Sequence, residues 1–450
     1  MHRTSGQVHL RRVAEDLDEL TRGLRRMWST ASLTSKLGAK AASRMLFRGK
    51  RAADDPGGEA ATRSTEAAIA TAKQLVARMG QLKGLVMKAG QIASYMPGTL
   101  PPAAQEVLAE LQAHSTPMAY PRIAEVLRAE LGDGPLFEAL SEQPFASASI
   151  GQVHRATYAG APVAVKIQYP GIEDAIRSDL KMVSVIARLS MIGSPVDGGA
   201  LAGELRERLL EECDYRREAK SQVLFAGLLA EVPGARVPAV IAARSSQRVL
   251  TTSFVDAAPI GALTDQAVRD RAGQIIFRAC FELIFRRCLY NADPHPGNYL
   301  VAPDGAVTFL DFGCVRRFDP EMIVRWRAMA RAILDGDRAG FVDGFRALGF
   351  VGKAKGFDWD YQWSAMRELY RPYLEPTFRY EPGLVRNSFG ILMFDNPNRF
   401  RLAMPPEWLF LNRLQWGLNA VLAQLRATGP WRAILDDILA MPIEPAPGPT

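Results

Sequence analysis

The chain has 450 residues, a length that favours two or three lobes over a single core. Its 48% hydrophobic and 23% charged residues are typical of a soluble globular protein, and no uninterrupted apolar window of about 18 residues predicts a spanning helix. The net charge of +7 at pH 7 indicates an anionic partner, either a phosphate ligand or a membrane surface.

Positive charge is concentrated near the N-terminus. Between Leu20 and Arg51 there are nine Lys or Arg and no Asp or Glu, with apolar residues interleaved. Residues 1–60, which end in a Gly- and Pro-containing linker, are therefore predicted to be either a disordered tail or a segment that lies on an anionic membrane. The segment lacks the aromatic runs and the modules of nucleic-acid binding, so DNA and RNA are not predicted as partners.

Hydrophobic periodicity divides the rest of the chain into a helical extension and two lobes. Residues 61–135 have helical spacing, with helices predicted at 102–114 and 121–131 after a longer first helix. Short alternating runs separated by Gly turns then predict antiparallel strands, so that 136–256 forms a β-rich N-lobe. Residues 257–450 are predicted to form a mainly helical C-lobe.

Within these lobes, further elements are predicted from the same patterns. Helical spacing covers about 172–192 and 200–230, and amphipathic helices are predicted at 320–350 and 403–427. The segment 236–256 is predicted to form two strands joined by a turn.

The cysteines show no metal or disulfide pattern. Cys213, Cys280, Cys288 and Cys314 form no C-x-x-C pair and have no accompanying histidines. We expect reduced, mostly buried thiols. Without a signal-peptide pattern, the predicted location is cytoplasmic, with at most a peripheral contact at the inner face of a membrane and no transmembrane helix.

Three polar residues have spacings that indicate phosphate chemistry. Asp293 precedes Asn298 by five residues, and Asp311 opens a D-F-G sequence. In protein kinases the catalytic-loop Asp precedes a metal-binding Asn by the same interval, and the D-F-G Asp supplies the other metal contact. The intervening residues predict a β-hairpin around Asp304-Gly305 that returns the two metal ligands to each other. The alternative is three unrelated loop residues.

A second match to the protein kinases lies in the predicted N-lobe. Lys166, in the sequence VAVK, is predicted on a strand from which its ammonium reaches the α- and β-phosphates of ATP. The upstream loop stands in register with the kinase glycine loop and contains Ala146, Ser147, Ala148, Ser149, Gly151 and Val153. The two alanines replace glycines, so they limit φ and hold the backbone farther from phosphate. Taken alone, the loop is a small-residue turn.

A carboxylate from a helix is expected to hold Lys166. The segment LLEECDYRREAKS offers Glu211, Glu212, Asp214 and Glu218. Asp214 and Glu218 are spaced i, i+4, which would place both on one helix face, and Glu218 is the predicted partner of Lys166. Glu212 and Asp214 are assigned another role. A solvated acidic patch is the alternative, above all for Glu211.

Six short sequences resemble the ABC1/ADCK/UbiB atypical kinase family, which includes the bacterial AarF-type proteins: KAGQ, ASASIGQVHRA, VAVKIQYPG, EECDYRREA, ADPHPGN and LDFG. They cover about residues 80–315 in order, and PPEWLFLNRL near the C-terminus is similar too. The resemblance implies an α+β, protein-kinase-like bilobal fold. It has a β-rich N-lobe, an α-helical C-lobe, an N-terminal helical K-x-G-Q extension and C-terminal helices.

The resemblance also implies roles for residues near the site. Lys88 and Gln91 match the polar positions of the K-x-G-Q motif, and Glu212 and Asp214 match an E-x-D motif expected to meet it. Such an extension would occupy the place where a protein kinase admits its peptide substrate. Without the resemblance, Lys88 would be interpreted as an exposed helix lysine. Asn291, where the family often has His or another residue, is interpreted as a departure of little consequence.

ATP and Mg²⁺ are the cofactors that these residues imply. Lys166 and Asp293 are the predicted catalytic groups, and Asn298 and Asp311 are the predicted metal ligands. The first hypothesis is an atypical kinase or ATPase that serves isoprenoid-quinone, ubiquinone-type lipid biosynthesis rather than protein phosphorylation. The alternatives are a nucleotide-gated module that binds or presents a lipid, and a pseudokinase scaffold with little transfer activity. A quinone-lipid precursor and an anionic membrane contacting residues 20–51 are the other expected partners.

Overall fold

The computed structural model describes residues 117–148, 150–174, 210–292, 294–382, 384, 391, 396–403 and 406–448. Residues 171–174 and 210 belong to one compact unit of the chain, and the others belong to a second unit, whose architecture follows. The predicted basic segment 20–51 and the predicted helical extension as far as residue 116 lie outside the described residues.

An antiparallel sheet forms the β-rich part of the second unit. Its strands are β1 (Ala139–Leu140), β2 (Ala146–Ala148), β3 (Gly151–Tyr158), β4 (Ala161–Gln168) and, after β5 (Ala235–Arg236) of another sheet, β6 (Val249–Ser253). The order is β1-β3-β4-β6, with β2 paired to β3. Ala159 and Gly160 have φ of 52° and 74° in the turn between β3 and β4, as in the two-residue hairpin turns that match strand twist. The strands predicted in this stretch are confirmed.

The two faces of β4 have different environments. Val163, Val165 and Ile167 are buried and pack against helix α1 (Tyr120–Leu131), which supplies Ile123, Val126 and Leu127 to the same core. Because side chains alternate along a strand, Ala164 and Lys166 lie on the opposite face.

Helix α2 (Tyr215–Leu229) begins later than the predicted helix 200–230. Asp214 precedes it with an extended backbone, φ −115°, and its carboxylate accepts a hydrogen bond from the N–H of Arg216 at 3.0 Å. An Asp in this position satisfies a backbone donor that the first helical turn leaves unpaired, so a new helix begins there. The expectation that Asp214 and Glu218 share one helix face is therefore wrong.

The C-terminal part of the unit is mainly helical and surrounds a long central helix, α3 (Gln266–Phe285), which Asp265 caps. The later helices are α4 (Pro320–Asp335), α5 (Arg338–Ala347), α6 (Trp359–Leu369), α7 (Arg371–Leu374), α8 (Pro406–Leu425) and α9 (Trp431–Ala440). Around α3, the ring of Phe277 contacts those of Tyr373 and Trp431 at centroid distances of 5.7 and 5.1 Å. This aromatic packing joins α3 to α7 and α9.

Short strands carry the loops of the predicted phosphate site. They are β7 (Ala258–Pro259), β8 (Leu289–Asn291), β9 (Tyr299–Val301), β10 (Val307–Phe309) and β11 (Val315–Arg317), followed by the pair β12 (Phe378–Arg379) and β13 (Thr428–Gly429). One sheet has the order β5-β10-β9-β7, and β8 pairs with β11. The predicted hairpin is confirmed: β9 and β10 are antiparallel, and Gly305 in the turn has φ 81°.

In two segments, the structure divides the chain into elements differently from the sequence prediction. The segment 320–350 contains two helices, because Gly336 ends α4 with a left-handed φ of 76° and Asp337 caps α5.

The segment 236–256 is predicted to form two strands, but β6 is the one strand of more than two residues there. Pro238 has no backbone N–H to donate, and beyond it only Val240 forms an isolated bridge, to Thr252. A short 3₁₀ turn, Ala242–Arg244, then leads towards β6.

Two further features bear on the sequence predictions. In the described part of the chain, no helix is both long enough and apolar enough to cross a bilayer. None of the four cysteines is in a disulfide, and three of them, Cys213, Cys288 and Cys314, are buried.

Gly151, the first residue of β3, lies close to the backbone of β4. A β-carbon added there would lie 2.9 Å from the carbonyl carbon of Ile167 and closer still to its oxygen. Since this neighbour is backbone and cannot turn aside, we expect Gly151→Ala to lower the free energy of unfolding by about 1–3 kcal/mol. Urea unfolding measures the change.

Gly227→Ala is the matched control. Gly227 lies in α2 with no atom within 4 Å of an added β-carbon. Alanine at this position should raise the free energy of unfolding by about 0.5–1 kcal/mol. Equal stability of the wild type and Gly151→Ala would contradict the packing argument.

Candidate active site

Lys166 lies where three elements meet. It stands on β4, between Val153 on β3 and Leu250 on β6. Its Nζ donates to Oε1 and Oε2 of Glu218 on α2 at 2.7 and 2.9 Å. It is also 3.5 Å from Oδ2 of Asp311, which follows β10. The structure thus brings together three residues that the sequence assigns to one site.

The start of α2 is fixed to the sheet. The side-chain amide of Gln168 donates to the carbonyl of Cys213 at 2.8 Å, and the N–H of Tyr215 donates to the carbonyl of Gln247 at 2.9 Å. Glu218 is in the first turn of the helix and its side chain is 6% exposed. A carboxylate is favourable there because the helix N-terminus carries partial positive charge.

The cluster contains more carboxylates than ammonium groups. Burial disfavours the charged lysine, but Asp311 and Glu218 outweigh it and hold the pKa of Lys166 well above its usual value. Burial raises the pKa of the Glu218 carboxyl to about 7 against the opposing charge of Lys166, and Asp311 and Glu212 add to the effect of burial. A bound divalent cation would balance this surplus of negative charge.

Glu212 belongs to the same cluster. A β-carbon built on Gly313 would lie 3.9 Å from Cγ of Glu212 and 3.9 Å from Oε2 of Glu218, so both side chains border the D-F-G glycine. Asp214, by contrast, uses its carboxylate to cap α2.

Glu211 has a structural role that the sequence did not reveal. Its carboxylate is 2.9 Å from Nη2 of Arg316, just after the D-F-G sequence, and 3.1 Å from Nη2 of Arg217. Burial opposes ionisation, but the two arginines together hold the pKa of the Glu211 carboxyl below its usual value. The alternative of a solvated acidic patch is therefore wrong for Glu211.

The β9–β10 hairpin places the two predicted metal ligands at neighbouring positions. The N–H of Leu310 donates to the carbonyl of Asn298 at 2.8 Å, and Asp311 is the next residue. Carboxylate and amide oxygens are the kind of ligand that Mg²⁺ binds, usually together with water and phosphate oxygens. The donor chemistry of this pair fits a magnesium ion.

Asp311 has a left-handed backbone, with φ 56°, which is uncommon for a residue with a side chain. Its Oδ1 accepts from the N–H of Gly313 at 3.1 Å, and its carbonyl accepts from Nδ2 of Asn291 at 2.7 Å. Asn291 thus has a defined contact to a predicted metal ligand, which the sequence interpretation missed. The one available signal was its place two residues before Asp293.

Asp293 itself lies outside the described residues, and its predicted role stays a prediction. The residue before it is held firmly: the N–H of Ala292 donates to the carbonyl of Cys314 at 2.7 Å. Asn291 pairs with Val315 in the β8–β11 ladder. The approach to the predicted catalytic loop is therefore fixed to the segment that follows the D-F-G sequence.

The loop in register with the kinase glycine loop joins β2 and β3, which pair with each other. Ala146 pairs with Val153, Ser147 with Gln152 and Ala148 with Gly151. Neither Ala146 nor Ala148 has a positive φ, so the backbone at both positions is compatible with alanine. The contact of these residues with a nucleotide remains a prediction. Ser149, Lys88 and Gln91 lie outside the described residues, so the meeting of the K-x-G-Q and E-x-D motifs also remains a prediction.

Comparison with known proteins adds independent evidence. The family model of the ABC1 atypical kinase-like domain matches residues 110–343. The chain is 30% identical over 383 residues to the atypical kinase coq-8, mitochondrial, of Caenorhabditis elegans, covering 80% of this chain and 49% of that protein. It is 31% identical over 388 residues to the atypical kinase COQ8B, mitochondrial, of Rattus norvegicus, covering 82% of this chain and 72% of that protein. The chain thus spans about half the length of the nematode relative.

A solved structure is similar over most of the chain. It is the complex of Rv3197 with erythromycin from Mycobacterium tuberculosis, with a TM-score of 0.64 and 28% identity, covering 85% of this chain and 100% of that one. Together with the family model, this similarity confirms the predicted kinase-like α+β fold.

Asn291→Ala tests the support of Asp311. Without the side-chain donor, the left-handed backbone of Asp311 loses a partner, so we expect the free energy of unfolding to fall by about 1–2 kcal/mol. Binding of Mn²⁺, used as a paramagnetic substitute for Mg²⁺, should weaken as well. Urea unfolding and spin-resonance titration measure the two effects.

Asn291→His is the matched control, because a ring N–H can replace the amide donor. It should bind Mn²⁺ more tightly than Asn291→Ala. If Asn291→Ala bound Mn²⁺ as tightly as the wild type, the contact would have no role in holding the metal ligand.

Proposed function

Because the chain belongs to the ABC1 atypical kinase-like family, we propose that it is an ATP- and Mg²⁺-dependent enzyme, either a kinase or an ATPase. One observation carries the proposal: Nζ of Lys166 contacts the carboxylates of both Glu218 and Asp311, at 2.7 and 3.5 Å. This arrangement presents an ammonium to phosphate oxygens beside a carboxylate suited to Mg²⁺.

Each residue has a separate task in the proposed reaction. Lys166 binds oxygens of the α- and β-phosphates, and Glu218 keeps the ammonium in place. Asn298 and Asp311 hold Mg²⁺, which when bound neutralises charge on the phosphates. Asp293 orients the hydroxyl of the acceptor, or a water molecule in an ATPase, and accepts its proton.

The proposed role of the enzyme is to support isoprenoid-quinone, ubiquinone-type lipid biosynthesis rather than to phosphorylate proteins. After Gly313, strand β11 begins at Val315 and helix α4 begins at Pro320. This leaves no room for the long segment that protein kinases order by phosphorylation. The residue before Asp293 is Ala292, so the arginine of H-R-D is missing as well. The basic segment 20–51 is the proposed contact with an anionic membrane that carries the lipid.

A nucleotide-gated module that binds or presents a lipid is the second candidate. Ala146 and Ala148, in place of glycines, favour it, since their β-carbons keep the backbone farther from phosphate. Turnover separates the two candidates: the enzyme releases ADP or transfers phosphate repeatedly, whereas the module binds ATP and liposomes with little turnover.

Asp311→Asn tests the proposed function. Removing the charge of the metal ligand should weaken Mg²⁺-dependent ATP binding by more than the roughly tenfold to hundredfold that loss of an outer-shell partner costs. The measurements are a thermal-shift titration with ATP, with and without Mg²⁺, and release of ADP in the presence of anionic liposomes that bear a quinone precursor.

Asp304→Asn is the control for a change of charge nearby. Asp304 lies in the exposed turn of the same hairpin, with a side chain 59% exposed, and Asn can keep its turn hydrogen bond. The control should bind Mg·ATP like the wild type. Undiminished Mg·ATP affinity in Asp311→Asn would count against the proposal.

A further inference from the structure

Tyr215, the first residue of α2, presents its ring to the ammonium of Lys166. Nζ is 4.9 Å from the ring centroid, within the range of a cation–π contact. The tyrosine is 1% exposed, so the contact is shielded from water. Such a contact is stronger when both partners are desolvated.

The ring is held in this place by its own backbone. Asp214 caps the helix, and the N–H of Tyr215 donates to the carbonyl of Gln247 at 2.9 Å. Tyr215 and Glu218 are spaced i, i+3, so the ring and the carboxylate reach Lys166 from neighbouring positions of one helix face. The backbone that carries the ring is therefore fixed by the helix cap and by the strand-side contact to Gln247.

The hydroxyl of Tyr215 has no comparable role. It is buried, and among the described residues it has no hydrogen-bond partner. A buried hydroxyl without a partner weakens a folded protein. The useful part of the side chain in this structure is therefore the face of the ring.

We propose that Tyr215 is a positioning residue of the nucleotide site: its ring holds the ammonium of Lys166 against Glu218 and prevents it from moving onto Asp311. The distances support this placement of the ammonium, since Nζ is 2.7 Å from Glu218 and 3.5 Å from Asp311. An ammonium that moved onto Asp311 would neutralise the carboxylate that Mg²⁺ needs. The proposal rests on the proposed function, because its consequence is seen in metal-dependent nucleotide binding.

Tyr215→Leu removes the aromatic face, and Tyr215→Phe removes only the hydroxyl. We expect Tyr215→Leu to need about tenfold more Mg²⁺ for half-maximal binding of a fluorescent ATP analogue. The conservative variant Tyr215→Phe should restore binding to within about twofold of the wild type, with equal or higher thermal stability. If Tyr215→Leu does not fold, Tyr215→Met provides an unbranched apolar side chain without a ring, and the same Mg²⁺ shift is expected.

Two controls make the result specific to Lys166. Tyr373→Leu removes a buried tyrosine from the helical lobe and should lower thermal stability without changing the Mg²⁺ requirement. In a Lys166→Met background, Tyr215→Leu should add nothing further to the loss of binding, as a double-mutant cycle requires of a direct contact.

The outcomes separate this proposal from the proposed function. A wild type that binds no Mg·ATP overturns the proposed function, and this inference with it. A wild type that binds, together with a Tyr215→Leu variant of unchanged Mg²⁺ requirement, overturns only the role of the ring. A Tyr215→Phe variant as impaired as Tyr215→Leu assigns the role to the hydroxyl and also overturns the proposal.

Discussion

The ion pair between Lys166 and Glu218, with Asp311 beside it, is the interaction on which the rest of the site depends. It joins β4 of the sheet, the first turn of α2 and the end of the β9–β10 hairpin. A buried ion pair contributes little net stability, because desolvation offsets most of the attraction, but loss of one partner leaves a costly unpaired charge. The pair therefore acts mainly as a constraint: the three elements must meet in this arrangement. Its surplus of carboxylates is a charge that a divalent cation would balance.

The strands that carry the loops of the predicted metal site are supported by the C-terminal segment. The carboxylate of Glu444 is 2.8 Å from Arg286 and 3.0 Å from Arg287, which precede β8. The N–H of Ala446 donates to the carbonyl of Arg287 at 2.8 Å, and Arg317 at the end of β11 donates to the carbonyl of Ala446 at 2.8 Å. One short segment thus contacts β11 and the residues just before β8. Asp311, whose backbone is left-handed, lies between these two strands in the chain.

Local signals allowed much of this architecture to be predicted from the sequence. Alternation of apolar residues places β4 and the face of Lys166, and Asp304-Gly305 marks the hairpin. The spacing of Asn298 and Asp311 then indicates two ligands at its two ends. Each of these signals lies within a few residues of the feature that it predicts, because periodicity and turn chemistry are local properties.

The features that the sequence did not reveal depend on contacts between distant segments. Glu211 pairs with Arg316, 105 residues away, and no periodicity marks such a pair. Asp214 was assigned to a helix face because its spacing from Glu218 fits a continuous helix, whereas its carboxylate caps the first turn. Gly151 matches the position of a phosphate-loop glycine, but the approach of the backbone at Ile167 is itself a sufficient reason for glycine. A motif position can therefore have a structural cause alongside a functional one.

A crystal structure of the protein with Mn²⁺ and a non-hydrolysable ATP analogue is the most direct test of the account. We predict an anomalous scattering peak bonded to the carboxylate of Asp311 and the amide oxygen of Asn298. Nζ of Lys166 should lie within hydrogen-bonding distance of a phosphate oxygen while it remains paired with Glu218. A nucleotide bound elsewhere, or a Lys166 that leaves Glu218 and touches no phosphate, would contradict the account.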